Sequence, residues 1–305
     1  MASTNNTSLS QSTQISNNIP PAKLSEYTGL EHPPAIDAIS AAKKQLCTVK
    51  PLEIKVQDGM DGTVPGFLHV PQNYRREQTG GREKTAAILL SGAGGGVVGP
   101  SSIYLSIADK VASLSKGIPV LRLDYRFPAR NKYCVPDVLA AMKYLQDDYA
   151  VSRFVLVGWS FGGAPVFTLG GQDDRVVGCA TVASQTAETD GIREVGRKGI
   201  PTLLLHGTGD RTLSPRCSQN LYDAYGHAVQ DGNRTLKLFD GDDHALTKNS
   251  LKAEELLCDF IMGCAGVDIA GDEKKGVVQK PLVEGKDRIE KMKQGGDLRS
   301  NESVD

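Results

Sequence analysis

Four stretches of this chain are almost continuously apolar: TAAILLSG at 85–92, FVLVG at 154–158, VVGCATVAS at 176–184 and PTLLLHG at 201–207. A strand with one wet face alternates apolar and polar residues. A run without alternation belongs to a strand covered on both faces. Helical segments separate these runs. SSIYLSIADKVASLSKG (101–117) ends at Gly117, residues 136–148 open with Pro136 and Asp137, and GGAPVFTLGG starts at Gly162. Buried strands that alternate with helices imply right-handed crossovers and a mostly parallel sheet with helices on both faces.

Further strands are expected at PLEIKV (51–56), GFLHV (66–70), IPVLRLDYR (118–126) and TLKLF (235–239), which brings the sheet to about eight. Asp58, Gly59, Asp61 and Gly62 lie between the first two, as in a hairpin. SPRCSQNLYDAYGH (214–227), with Ser214 as its cap, and residues 246–262 read as the last helices. The fold class is therefore α/β, with a doubly wound, mostly parallel sheet. Residues 26–267 form the domain. Residues 1–25, rich in Ser, Thr, Asn and Gln, and residues 268–305, with GDEKK and EGKDRIEKMKQGG, are expected to be disordered tails.

Composition excludes several roles. A net charge of −1 draws the chain to neither nucleic acid nor anionic lipid. No apolar run approaches the length of a membrane span. The N-terminus lacks the basic and apolar regions of a signal peptide, so the expected location is cytoplasmic. The six cysteines show no CxxC pair, and their scatter suggests neither zinc nor a disulfide framework.

In a sheet of this kind, chemistry belongs at the carboxyl ends of the strands. Directly after FVLVG comes Gly158-Trp159-Ser160-Phe161-Gly162-Gly163, a G-x-S-x-G between a buried strand and a helix. That turn strains its central residue and lifts the serine oxygen above the sheet, so Ser160 is the candidate nucleophile. A serine hydroxyl needs a base to take its proton, and the base needs a carboxylate to orient it. Asp210, three residues past the glycine that ends a strand in LLLHGTGD, is the acid candidate. His244, after the last strand in DGDDHAL, is the base candidate, with Asp240, Asp242 and Asp243 as possible local partners. His32 precedes the domain, His69 sits on an early strand, His206 ends a strand near the site, and His227 ends a helix.

The third strand runs into Ser91-Gly92-Ala93-Gly94-Gly95-Gly96. Bare backbone of this kind can point N–H groups at a carbonyl oxygen as it gains charge. Ala93 and Phe161 are the expected donors, with Gly94 as the alternative to Ala93. The spacing does not match a dinucleotide loop, and the Lys-Ser/Thr of a Walker motif is missing. Trp159, Tyr125 and Phe127 are candidate walls of an open substrate pocket.

Taken together, Ser91 to Gly95, Gly158 to Gly162, Asp210 in HGTGD and His244 in GDDH resemble the α/β-hydrolase superfamily over roughly residues 50–265. The likeness is to small, capless, dienelactone-hydrolase-like members, including those with an LRxxYRFP-type segment, here Leu121 to Pro128. Two departures stand out. Many relatives open the oxyanion loop with histidine where this chain has Ser91, and dienelactone hydrolases proper use cysteine where it has Ser160. About 16 residues separate the strand at 176–184 from the next, which leaves no room for a large cap domain. The resemblance implies a serine hydrolase acting on a small-molecule carboxylic ester or thioester, without metal or organic cofactor. An acyltransferase using the same three residues, or a non-catalytic binding protein on this fold, are the alternatives.

Overall fold

A computed structural model describes residues 22–37, 47–76, 83–226 and 233–299. The sheet has eight strands: β1 (Cys47–Val56), β2 (Gly62–Pro71), β3 (Thr85–Leu90), β4 (Val120–Leu123), β5 (Arg153–Trp159), β6 (Val176–Val182), β7 (Thr202–Gly207) and β8 (Arg234–Phe239). Their order is β1-β2-β4-β3-β5-β6-β7-β8. The β1–β2 hairpin is antiparallel, β2 joins β4 antiparallel, and every pairing from β4 to β8 is parallel. The expected sheet class and strand number both hold.

The continuous apolar runs fill both faces. In β5, Val155, Val157 and Trp159 face one core, while Phe154 and Leu156 face the other. The first core is closed by α2 (Ile103–Ala112) and α7 (Ser250–Cys264). The second is closed by α3 (Asn131–Tyr149), α4 (Gly163–Gln172), α5 (Ile192–Arg197) and α6 (Arg216–Ala224). Only α5 lies between β6 and β7, so among the described residues there is no large cap. Among the described residues, no helix is long and apolar enough to cross a membrane.

Three expectations need correction. First, α3 begins at Asn131 rather than Pro136; the proline is accommodated inside the helix. Second, α7 begins at Ser250 rather than 246, because the side chains of Asp242 and Asp243 hold the preceding backbone in a loop.

The third concerns the C-terminal residues. Beyond α7, a one-turn α8 (Gly271–Glu273) runs into a π-helical turn at Lys274–Val278, and α9 spans Gly285–Gln294. Val278, Val283 and Met292 join the first core. Arg288 is buried on the same face of α9 as Met292. Its Nη1 donates to Glu254 Oε1 (3.0 Å) and to the Ser101 carbonyl (2.7 Å). Glu254 also accepts from Lys110 Nζ at 2.5 Å and from Ser106 Oγ at 2.7 Å. A polar segment is ordered here because its buried Arg288 finds Glu254 on α7 and the Ser101 carbonyl just before α2, as buried charges must. Residues 300–305 lie outside the described residues. At the other end, the expected tail at 1–25 falls mostly outside them, but Ala22 is buried and Leu24–Tyr27 form a 3₁₀ turn. Residues 34–37 form a one-turn α1 (Pro34–Asp37).

Candidate active site

The strand order reverses direction between β3 and β5, where α/β sheets bind ligands. The glycine-rich loop leaves the end of β3 and the Ser160 turn leaves the end of β5. Ser160 has φ of +52°, the left-handed conformation that a side chain adopts only under constraint. The constraint is visible in the neighbouring glycines. A Cβ on Gly158 would land on the carbonyl of Gly162, and one on Gly162 would lie 2.6 Å from the Leu90 carbonyl and 2.7 Å from that of Ser91. The turn therefore presses against the end of β3 and brings residue 161 towards the loop at 91–94. A short 3₁₀ turn (Ser160–Gly162) then leads into α4.

Asp210 follows β7 and His244 follows β8. His244 Nδ1 donates to Asp210 Oδ2 at 2.6 Å, with both side chains buried. The carboxylate is fully engaged. Its Oδ2 also accepts from His206 Nε2 at 3.0 Å, and Oδ1 accepts from the backbone N–H groups of Thr212 and Leu213, both at 2.8 Å. Burial opposes ionisation of Asp210, but the bonds from His206 and His244 and the backbone N–H of Leu213 outweigh it. They hold the carboxyl well below the usual carboxylate range. His206 is thus a partner of the acid. Its Nδ1 accepts from Ser218 Oγ at 2.7 Å, which leaves the ring proton on Nε2, facing Asp210.

The three aspartates around His244 do not replace Asp210. Asp242 accepts from the backbone of Asp243, Lys248 and Asn249, and Asp243 accepts from that of Ala245 and Thr247. Asp240 accepts from Thr208 Oγ1. They shape the loop that presents the histidine. Gly207 and Gly209 allow that loop to pack on the end of β7, where Gly209 N–H donates to the Asp242 carbonyl at 2.9 Å. Trp159, next to Ser160, donates its indole N–H to the His244 carbonyl at 3.1 Å. That bond ties the serine turn directly to the histidine loop.

The glycine-rich loop turns back on itself through Gly95 N–H to the Gly92 carbonyl, 3.0 Å. Ala93 is its partly exposed tip. Gly94 is covered, with the backbone of Asp297 and Arg299 against its α-carbon. Ser91 donates to Asp297 Oδ1, and the same carboxylate accepts from the N–H groups of Val98 and Gly99. Asp124 accepts from Gly96 N–H at 2.7 Å and from Arg299 Nη2 at 2.8 Å. Nothing in the polar tail composition signals these contacts. Asp124 at least sits inside the LRxxYRFP-type segment noted in the sequence, and it is there to anchor this loop.

The expected pocket walls need revision. Trp159 and Tyr125 are both fully buried and cannot touch a ligand. Trp159 supports His244; the Tyr125 hydroxyl donates to the Ser91 carbonyl at 3.2 Å and its ring meets Phe161 edge-on. Phe127 is half-buried and lines a groove of about 260 Å³ with Lys23, Met60 and Arg126, apart from Ser160 and His244. The His227 helix-end reading lies outside the described residues.

No protein-family model matches the chain, and no curated protein does. Solved structures share its fold. A puromycin-hydrolyzing peptidase from Mycobacterium tuberculosis superimposes with a TM-score of 0.60 at 17% identity, over 76% of this chain and 41% of that one. This chain therefore spans about two fifths of the peptidase's length. The esterase Est1E from Butyrivibrio proteoclasticus gives 0.54 at 15% identity, over 70% of this chain and 99% of that one. An alpha-beta serine hydrolase homologue from Coxiella burnetii gives 0.53 at 15%, over 68% and 95%. With the sheet order, the crossovers and the turn after β5, these likenesses establish that the chain has the α/β-hydrolase fold.

Proposed function

We propose that this protein is a serine hydrolase that cleaves small carboxylic esters or thioesters through an acyl-enzyme on Ser160. The observation that carries the proposal is the 2.6 Å bond from His244 Nδ1 to a carboxylate held ionised by its surroundings. A histidine so paired keeps its proton on Nδ1 and leaves Nε2 free of a proton, ready to act as a base. Ser160 at a positive φ directly after β5 supports the same reading.

In the proposed cycle, Ser160 Oγ attacks the substrate carbonyl while His244 Nε2 takes the hydroxyl proton. Asp210 stabilises the resulting imidazolium. The carbonyl oxygen becomes an oxyanion, which accepts from the N–H groups of Ala93 and Phe161. His244 returns the proton to the leaving alcohol or thiol as the C–O or C–S bond breaks. Water then attacks the acyl-enzyme with His244 again as base, and the acid and Ser160 are released. The short link between β6 and β7 has no room for a large lid, which suits small or protruding acyl groups.

The reading is supported by the structural neighbours, which include an esterase, a serine hydrolase homologue and a puromycin-hydrolyzing peptidase. The test is a panel of short and medium acyl esters and thioesters, run with wild type and Ser160→Ala and with hydroxylamine as a competing acceptor. Turnover by wild type alone supports the proposal. Equal turnover by Ser160→Ala overturns it. Acyl transfer to hydroxylamine in preference to water would redefine the enzyme as an acyltransferase on the same site.

A further inference from the structure

A second cluster of reactive side chains shares no residue with the site around Ser160. Asp109, buried on α2, accepts at Oδ1 from Cys47 Sγ (3.1 Å) and lies 3.0 Å from His32 Nδ1. Cys47 opens β1, and His32 lies just before α1. One ligand atom from each of the three falls within 4.8 Å of the others. His69, on β2, points its Nδ1 at the same carboxylate, 3.7 Å from Asp109 Oδ2. That nitrogen is buried and makes no hydrogen bond. Arg122 Nε donates to the other ring nitrogen of His69 at 3.0 Å. The ring therefore keeps its proton on Nδ1, and a buried N–H faces the cluster without an acceptor.

Hydrogen bonding within the cluster accounts for Cys47 and His32 but leaves the His69 N–H unexplained, and a buried unpaired donor is costly. One imidazole, one thiol and one carboxylate form a donor set suited to zinc. Zinc's bond lengths place neighbouring ligands of a tetrahedral site roughly 3.4–3.6 Å apart, so the two separations from Asp109 Oδ1, 3.0 and 3.1 Å, need to open by about half an ångström, while His32 and Cys47 already lie within 4.8 Å of one another.

We propose that His32 Nδ1, Cys47 Sγ and Asp109 Oδ1 bind one divalent transition-metal ion of the zinc class, with a water in the fourth position. That water accepts the otherwise unpaired proton of His69 Nδ1. On binding, the thiol gives up its proton to solvent and the S–metal bond forms. His32 binds as the neutral ring with its proton on Nε2. Thiolate and carboxylate together balance the two charges of the ion. The His32 side chain is 19% exposed, which gives the ion a way in from solvent. The bound ion would tie the segment before α1 to β1 and α2. That segment is already joined to the β4 region by the Leu30 carbonyl on Arg122 and by the hydroxyl of Tyr27 on Asp124. Sequence spacing carried no sign of this site, because its ligands come from three separate elements.

The test uses the full-length protein, stripped with a chelator and titrated with Zn²⁺ and, separately, Co²⁺. The expected result is one ion per chain and, with Co²⁺, a near-ultraviolet band from sulfur-to-metal charge transfer. Cys47→Ser should abolish that band, and Cys47→Ser and His32→Ala should each weaken Zn²⁺ binding at least about tenfold. Cys264→Ser, which changes a thiol outside the cluster, should leave both unchanged. The serine hydroxyl can still donate to Asp109, so circular dichroism of the metal-free variant separates lost binding from lost fold. His32→Ala alters a partly exposed side chain and gives a second reading. No binding at about 100 µM Zn²⁺, or a charge-transfer band that survives Cys47→Ser, would overturn the proposal.

Discussion

Replacing Asp210 by Asn removes one charge and reverses two hydrogen-bond directions. The carboxylate accepts four bonds: two from the backbone of Thr212 and Leu213, one from His206 and one from His244. An asparagine accepts only at its single oxygen. If that oxygen faces His206 and His244, its NH₂ meets two backbone N–H groups and leaves them unpaired, a cost of about 2–6 kcal/mol. The other orientation avoids this, because it keeps the backbone pair and sets the NH₂ against the histidines. His206 still has the Leu213 carbonyl at 3.1 Å. His244 has to accept at Nδ1 and move its proton to Nε2, where it can no longer take a proton from Ser160. Losing the correct tautomer costs on the order of 10³–10⁴ in kcat, or about 4–5.5 kcal/mol of transition-state stabilisation. The assay is steady-state hydrolysis of an activated ester by Asp210→Asn and wild type, with melting curves for both. The expected result is a kcat loss of that size with KM little changed and a folded protein. A folded variant with kcat within about tenfold of wild type would refute the reasoning. The same carboxyl also sets a stability trend. Its folded pKa lies below the ordinary value, so the stability it contributes is present above the usual carboxylate range. That contribution is lost as pH falls below it, and the stability gap between wild type and Asp210→Asn should close in acid.

His206→Leu should act mainly on stability, since it strands the Ser218 hydroxyl and removes one bond to Asp210. Urea unfolding should show a loss of about 2–4 kcal/mol while kcat falls no more than about tenfold, and an unchanged unfolding midpoint would contradict this. Gly158→Ala places a methyl group on the Gly162 carbonyl, so melting temperature and activity should both fall sharply. Gly263→Ala in α7, where a Cβ meets nothing within 4 Å, should leave activity intact and gain about 0.5–1 kcal/mol. Equal behaviour of the two glycine variants would count against a constrained turn. Burial raises the Asp297 carboxyl to about 7, against the bonds it accepts from Ser91, Gly99 and Val98. Its folded pKa is above the ordinary value, so the stability it confers is full below that value, about 3.8, and is lost as pH rises towards 7. Melting temperatures across that range should fall more steeply for wild type than for Asp297→Asn, and parallel curves would remove Asp297 as the cause.

The sheet and the serine turn were legible because their signals are local. A strand buried on both faces has to be continuously apolar, and a strand-to-helix turn around Ser160 has to be flanked by glycine. Asp210 and His244 could be read from their order and their place after strands. The ordered C-terminal region could not. Its composition is that of a solvated tail, and its burial depends on Glu254 receiving Arg288, on Lys110 donating to the Val278 carbonyl, and on the loop at 91–99 receiving Asp297. Those partners are distant in sequence, so no local pattern reports them. The aromatic residues misled for a related reason. Trp159 adjoins Ser160 in sequence and Tyr125 follows a strand, but their polar ends bond to the His244 and Ser91 carbonyls, and their rings fill the core. His206 ends a strand near the site, yet its bond to Asp210 depends on a ring orientation that Ser218 sets from α6.

The central claim is that Ser160 is an activated nucleophile. The most direct measurement is labelling of the purified protein with a fluorophosphonate probe, wild type beside Ser160→Ala, with the modified peptide located by mass spectrometry. The account predicts labelling of wild type on Ser160 and none of the variant. Failure to label folded wild type, or equal labelling of Ser160→Ala, would contradict it.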